Sequence, residues 1–157
     1  MLPLAALGGA AATEGERAVQ TMRTYSRVLE QLKAAGLRPT RQRLALAKLL
    51  LESGPRHVTA EELFHEARSA GIPVSLATVY NALHQFTTVG LLREVVVDMG
   101  QSYFDTNISH HHHFFDEATG QLTDIAEQEI EISRLPSPPQ GAEIDRVEVI
   151  VRLRRQA

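Results

Sequence analysis

The chain has 157 residues, 43% of them hydrophobic and 22% charged, with 16 basic and 19 acidic side chains and a formal charge of −3. That is enough for one ordinary domain or two very small ones, and too short for a barrel enzyme or a nucleotide-binding domain joined to a substrate domain. There is no cysteine, which excludes disulfides, thiolate zinc sites, iron–sulfur clusters, a cysteine nucleophile and a Cys-Pro haem motif. No apolar run approaches the roughly 18 residues that a membrane span needs.

Charge is divided unevenly: residues 1–93 carry 11 basic and 7 acidic groups, and residues 94–157 carry 5 and 12. A basic half joined to an acidic half fits a nucleic-acid-binding module attached to a cation-binding or dimerising one, although chance would produce the same imbalance.

The first stretch, MLPLAALGGAAA, has no basic segment before it and the acidic TEGE behind it. Residues 1–18 therefore read as a disordered extension rather than a secretory leader, with Met22 an alternative start. Met22, Tyr25, Leu29 and Leu32 then recur at helical spacing up to Gly36, which predicts a first amphipathic helix. Thr40 can cap a second helix with Leu44, Ala47 and Leu51 inward, ending at Gly54-Pro55. In TAEE, Thr59 and Glu62 form a capping box for a third helix with Leu63, Phe64 and Ala67 inward. Ser75 can cap a fourth, SLATVYNALHQF, which has Leu76, Val79, Leu83 and Phe86 on one face.

LLREVVVD and QSYFDT, separated by Met99-Gly100, read as a β-hairpin. Helices followed by a hairpin make a winged helix-turn-helix, with the fourth helix as the reader of the major groove. Beyond it, HHHHFF and QLTDI read as strands, AEQEIEISR as a helix, PSPPQG as a rigid loop and EVIVRLR as a last strand. The fold class is thus α+β: a winged helix-turn-helix domain over residues 19–105 followed by a small α/β dimerisation domain over 106–157. The second unit buries too little surface alone, which predicts a homodimer.

Two groups of residues carry chemistry. Thr78, Tyr80 and Asn81 offer hydroxyl, aromatic and amide groups suited to base edges, thymine methyls and phosphate oxygens, and Arg38, Arg41 and Arg43 lie where phosphate contact is geometrically reasonable. An ordinary polar helix face is the plainer alternative. The second group is an internal run of four histidines, His110–His113. On a strand, His111 and His113 face one side and His110 and His112 the other. With Asp105 before them and Asp124 after, they form an oxygen and nitrogen donor set that suits Fe(II), Mn(II) or Zn(II), or the run binds haem. A solvated polyhistidine loop is the alternative. Two histidines and a carboxylate (His111, His113, Asp105) would also serve a non-haem metal enzyme, but the chain has no spare domain to build a substrate pocket. A metal- or haem-buffering protein would leave the helical half without a purpose.

Read together, GLRPTRQRLALAKLL, HVTAEELF, SLATVYNALHQFTTVGLL and SYFDTNISHHHHFF with GQLTDI closely resemble the ferric uptake regulator family of dimeric metal-sensing transcription factors. The resemblance runs from about Thr24 to the C-terminus. It implies a regulatory metal site at His57, Asp105, His111, His113 and Asp124, with His57 in the DNA-binding half and the other four in the hinge and dimerisation half. It also implies DNA contacts from Arg38, Arg41, Arg43, Ser75, Thr78, Tyr80 and Asn81, and an AT-rich inverted-repeat operator. Where most of the family carries a C-x-x-C pair for structural zinc, this chain has Asp116 and Thr119, so no four-cysteine zinc is available. The cysteine-free sequence, the histidine run and the ending DRVEVIVRLRR resemble the iron response regulator (Irr) branch. That likeness implies a cytoplasmic, non-enzymatic regulator of iron uptake and haem synthesis genes, with haem at His110, His111, His112 and His113. A metal-corepressed or peroxide-sensing repressor of the same family would use much the same five ligands. His65 and His84 read as surface residues.

Overall fold

The computed structural model describes residues 11–98 and 100–156. Four helices come first: α1 (Glu14–Ala34), α2 (Arg41–Glu52), α3 (Ala60–Ser69) and α4 (Leu76–Thr88), with a two-residue strand β1 (His57–Val58) between α2 and α3. Then come β2 (Arg93–Asp98), β3 (Gln101–Asp105), β4 (His111–Asp116), β5 (Gln121–Ala126) and, after a single 3-10 turn at Glu127–Glu129, β6 (Ile150–Leu153). Each helix starts on a hydroxyl that accepts from the third backbone N–H: Thr13 from Glu16, Thr40 from Arg43, Thr59 from Glu62 and Ser75 from Thr78. The capping box read at Thr59 and Glu62 is present, and a second one at Thr13 and Glu16 starts α1.

That cap corrects the reading of an extension up to residue 18, because with Glu14 and Glu16 beside the helix N-terminus the chain is helical from Glu14. Residues 1–10 and Met99, one half of the expected Met99-Gly100 turn, lie outside the described residues. The buried face of α1 also differs from the expected one. Thr24, Val28 and Leu32 point inward while Met22 is 71% exposed and Tyr25 47%. Two stripes satisfy the helical period, and packing against α2 selects the one whose threonine returns its hydroxyl proton to the Gln20 carbonyl at 3.0 Å.

Val28, Leu32, Leu46, Leu50, Leu63, Val79, Leu83, Phe86 and Phe104 form one core among the four helices and the inner face of the wing. Each of these fully buried side chains contributes about 1.5–3 kcal/mol. The wing is a three-stranded antiparallel sheet in the order β1-β3-β2, one strand more than the expected hairpin. Its other face, carrying Val95, Val97 and Tyr103, packs on Phe115, Leu122 and Ile150 of the second sheet.

The second sheet has the order β5-β4-β6, with β4 and β5 antiparallel and β6 parallel to β4. A parallel neighbour needs a long crossover, which residues 130–149 supply without helix or strand. The helix expected over AEQEIEISR is therefore corrected to the one 3-10 turn. β-branched Ile130 and Ile132 and the restriction that Pro136 puts on Leu135 oppose helix continuation there. The last strand is likewise shorter than EVIVRLR, covering Ile150–Leu153.

Candidate metal centre and nucleic-acid interface

Within each sheet, register sets a histidine opposite an aspartate. In the wing sheet His57 stands opposite Asp105, and in the second sheet His113 stands opposite Asp124. His111 and His113, two residues apart on β4, share a face. Where the two sheets meet, one ligand atom from each of these five residues lies within 4.8 Å of all the others. His111 Nε2 is 2.8 Å and His113 Nε2 3.1 Å from Asp105 Oδ2, and the two ring nitrogens are 3.0 Å apart. His57 Nε2 is 2.8 Å from Asp124 Oδ1 and 3.2 Å from Asp105 Oδ2. Asp105 and His113 are each 1% exposed. The wing, within the expected bounds 19–105, thus supplies His57 and Asp105 and the second sheet the other three, a division of two and three where the resemblance implied one and four.

The set fits a divalent cation. Nitrogens crowded this closely around shared carboxylate oxygens cannot all satisfy one another as donors. His57 Nε2 is buried without a hydrogen-bond partner. Three imidazoles and two carboxylates, with no thiolate, match the preferences of Fe(II), Mn(II) and Zn(II). Burial by itself would raise the Asp105 carboxyl, but His113, His57 and the Asn107 backbone N–H hold it well below the usual carboxylate range. Burial would likewise lower the His57 imidazole, and Asp105 and Asp124 outweigh that and raise it.

The loop between β3 and β4 is knitted at every second residue. Asn107 N donates to Asp105 Oδ1 at 2.8 Å, Ser109 N to Asn107 Oδ1 at 3.1 Å, and His111 Nδ1 lies 2.7 Å from the Ser109 carbonyl. A carbonyl accepts only, so His111 carries its proton on Nδ1 and presents the other nitrogen to the cluster. The sequence reading missed Asn107 and Ser109. An Asx-turn pattern in DTN would have found the first, whereas Ser109 acts through a backbone oxygen that no side-chain motif reports.

The four histidines do not converge on one point of the structure. His112 lies on the other face of β4, where its Nδ1 accepts from the Val149 backbone N–H at 3.1 Å, and His110 is exposed ahead of the strand. Strand alternation separates them. Asp116 and Thr119, at the positions of the missing C-x-x-C, close the β4–β5 turn by hydrogen bonds. Asp116 Oδ1 accepts from Ala118 N at 2.9 Å and Thr119 N at 3.3 Å, and Arg155 donates to Asp116 Oδ2 at 2.8 Å. Gly120, at φ +71°, turns the chain there, with its carbonyl accepting from the Tyr103 hydroxyl.

On the helical half, Tyr80 and Asn81 are exposed on α4, and Arg38 and Arg41 are exposed around the start of α2. The Ser75 hydroxyl is occupied as the helix cap and lies 2.9 Å from that of Thr78. Arg43 is engaged as well: its Nε donates to Gln85 Oε1 at 2.9 Å and its Nη1 to the Arg38 carbonyl at 2.8 Å, so it braces α2 against α4. Tyr80 donates its hydroxyl proton to Glu61 at 2.7 Å and stacks on His84. His65 and His84 are exposed.

A four-helix winged module joined through a histidine–aspartate cluster to a small sheet defines a class of protein, the metal-responsive winged-helix regulator. The ferric uptake regulator family model matches residues 34–151, and the chain belongs to that family. The peroxide-responsive repressor PerR of Staphylococcus aureus is 36% identical over 109 residues, 68% of this chain and 72% of that protein. Among solved structures, the ferric uptake regulator of Pseudomonas aeruginosa with manganese is similar over 82% of this chain and 97% of its own (TM-score 0.64, 27% identity). The Vibrio cholerae ferric uptake regulator is similar over 80% and 98% (TM-score 0.63, 25% identity). Members of the family are dimeric DNA-binding transcription regulators. This chain is a metal-responsive transcriptional regulator and not an enzyme. Among the described residues no helix is long and apolar enough to cross a membrane.

Proposed function

We propose that the chain is an iron-responsive cytoplasmic regulator whose homodimer binds an AT-rich inverted-repeat operator, with affinity set by iron or manganese, or zinc in their place, at His57, Asp105, His111, His113 and Asp124. The observation that carries this reading is the split origin of the donors: two come from the wing and three from the second sheet. A bound cation supplies the charge that lets these groups sit together. The residues themselves couple it to shape, because only one arrangement of the two sheets brings all five donors together, and a ligand that favours one conformer shifts the population towards it. In a dimer that arrangement fixes the spacing of the two α4 helices and hence the half-site separation they match. Arg38 and Arg41 would contact phosphates, and Thr78, Tyr80 and Asn81 base edges, with Ser75 and Arg43 acting mainly by holding α4 in place.

Within the family we assign the chain to the iron response regulator branch, controlling iron uptake and haem synthesis genes, on the cysteine-free sequence and the histidine run. Haem ligation would fall chiefly to His110, since the other three histidines are buried. A peroxide-sensing repressor is the second reading, favoured by the identity with PerR. A gel-shift titration of the purified protein on an inverted-repeat operator separates them, with no addition, Mn(II), Fe(II), haem, and Fe(II) followed by hydrogen peroxide in parallel. Release by haem with binding kept in the other lanes supports the Irr assignment. Binding that needs metal and is lost after peroxide only in the Fe(II) lane moves the chain to the second reading. No specific shift in any lane overturns both.

A further inference from the structure

Arg93 opens β2 and is 8% exposed, yet it belongs neither to the five donors nor to the apolar core. It stands in register with Asp105 of β3, which in turn faces His57 of β1, so His57, Asp105 and Arg93 form one row across the wing sheet. Neighbours in such a row leave the sheet on the same side. With Val95 and Val97, its partners at two-residue spacing, Arg93 is on the face turned to the second sheet. There its guanidinium reaches two places. Nη1 donates to the Ser109 carbonyl at 2.6 Å, and Nη2 pairs with the Glu148 carboxylate, on the segment just before β6. Its Nε is buried without a partner.

The Ser109 carbonyl is the same oxygen that takes the His111 Nδ1 proton at 2.7 Å. A carbonyl has two lone pairs and accepts both donors. Keeping a cation buried with one N–H unmet is unfavourable, and a hydrophobic side chain of similar volume would avoid that cost. Glu148 does not depend on Arg93 alone, since Arg146 Nε lies 3.5 Å away. The pair with Glu148 ties β2 to the segment before β6, and the other hydrogen bond ends on the atom that orients a ligand.

We infer that Arg93 is a positioning residue for the metal centre: anchored by Glu148, it fixes the Ser109 carbonyl so that His111 keeps its proton on Nδ1 and turns Nε2 to the cation. The inference rests on the metal-binding reading and extends it to a residue that makes no contact with the ion. A partner hydrogen-bonded to a ligating histidine is worth about 10–100-fold in metal affinity when lost, and Arg93, one bond further out, acts by holding such a partner, so its own effect lies at or below the lower end.

The test measures Mn(II) dissociation constants by calorimetry on the full-length protein, alongside the thermal midpoint without metal. Arg93→Met is expected to bind Mn(II) up to about tenfold more weakly at a temperature where its metal-free form is still fully folded. Glu148→Gln, which still accepts from Arg93, is expected to bind as the parent does. Equal affinities in the parent and Arg93→Met overturn the inference alone, as does an equal loss in both variants, which would mark a strap for the β6 segment rather than a device acting on His111. Failure of the parent protein to bind Mn(II) overturns the metal reading and the inference with it. A second measurement does not depend on Arg93→Met folding. In the Zn(II)-loaded parent, NMR should show His111 bound through Nε2 with a slowly exchanging Nδ1 proton, and coordination through Nδ1 would overturn the inference.

Discussion

Tyr80 and Arg41 are both exposed on the proposed DNA face, and they differ in what they can sense. A guanidinium on a phosphate carries no sequence information, whereas an aromatic ring against base edges does. Arg41→Ala should therefore weaken operator and random DNA alike and reduce the salt slope by about one. Tyr80→Ala should weaken the operator selectively, and equal loss on both DNAs in a fluorescence-anisotropy titration would contradict its role. Asp116 makes a different kind of prediction. Burial would raise its carboxyl, but the Ala118 N–H, Arg155 and the Thr119 N–H together lower it below its ordinary value of 3.8. A carboxyl lowered on folding adds stability that is fully present above its unfolded pKa and is lost as pH falls through its folded one. Asp116→Asn should accordingly match the parent's urea midpoint at the acid end and fall behind it as pH rises towards 5. A constant offset across that range would show that charge is not involved.

At the scale of elements, the helices follow from hydroxyl caps and apolar spacing, and these were legible. All four predicted helices of the first half exist, and Thr40, Thr59 and Ser75 cap as expected. Ser75→Ala should cost about 1 kcal/mol in urea denaturation and weaken operator binding further by fraying the start of α4, with Ser75→Gly milder in both measurements. The two-residue β1 was not legible, because its pairing partner lies far along the chain at Phe104 and Asp105 and a dipeptide has no periodicity. The failed helix after Ala126 has a related origin. Its acidic and apolar residues alternate in a way that tolerates either state, and with most of its side chains exposed a short helix is marginal.

Across the whole molecule, the cluster lies where the two sheets meet, so its occupancy should be read in global stability. A ligand held only by the native state at 100 times its dissociation constant adds about 2.7 kcal/mol. Mn(II) should thus raise the thermal midpoint of the parent protein, a chelator should reverse the rise, and His113→Ala should abolish it. An equal rise in His113→Ala would place the ion elsewhere. Residue type, strand alternation and hydroxyl caps are local properties, and through them the sequence by itself determined the four helices, the wing hairpin and the pairing of His111 with His113 on one face. Only the tertiary structure decided that His57 pairs opposite Asp105 on the wing, that Thr24 rather than Met22 faces the core, and that His112 accepts from the Val149 amide. It also decided that Arg93 and the Ser109 carbonyl stand behind His111. These choices depend on which long-range partners meet, and a side chain's period along the chain restricts its direction without saying what lies opposite.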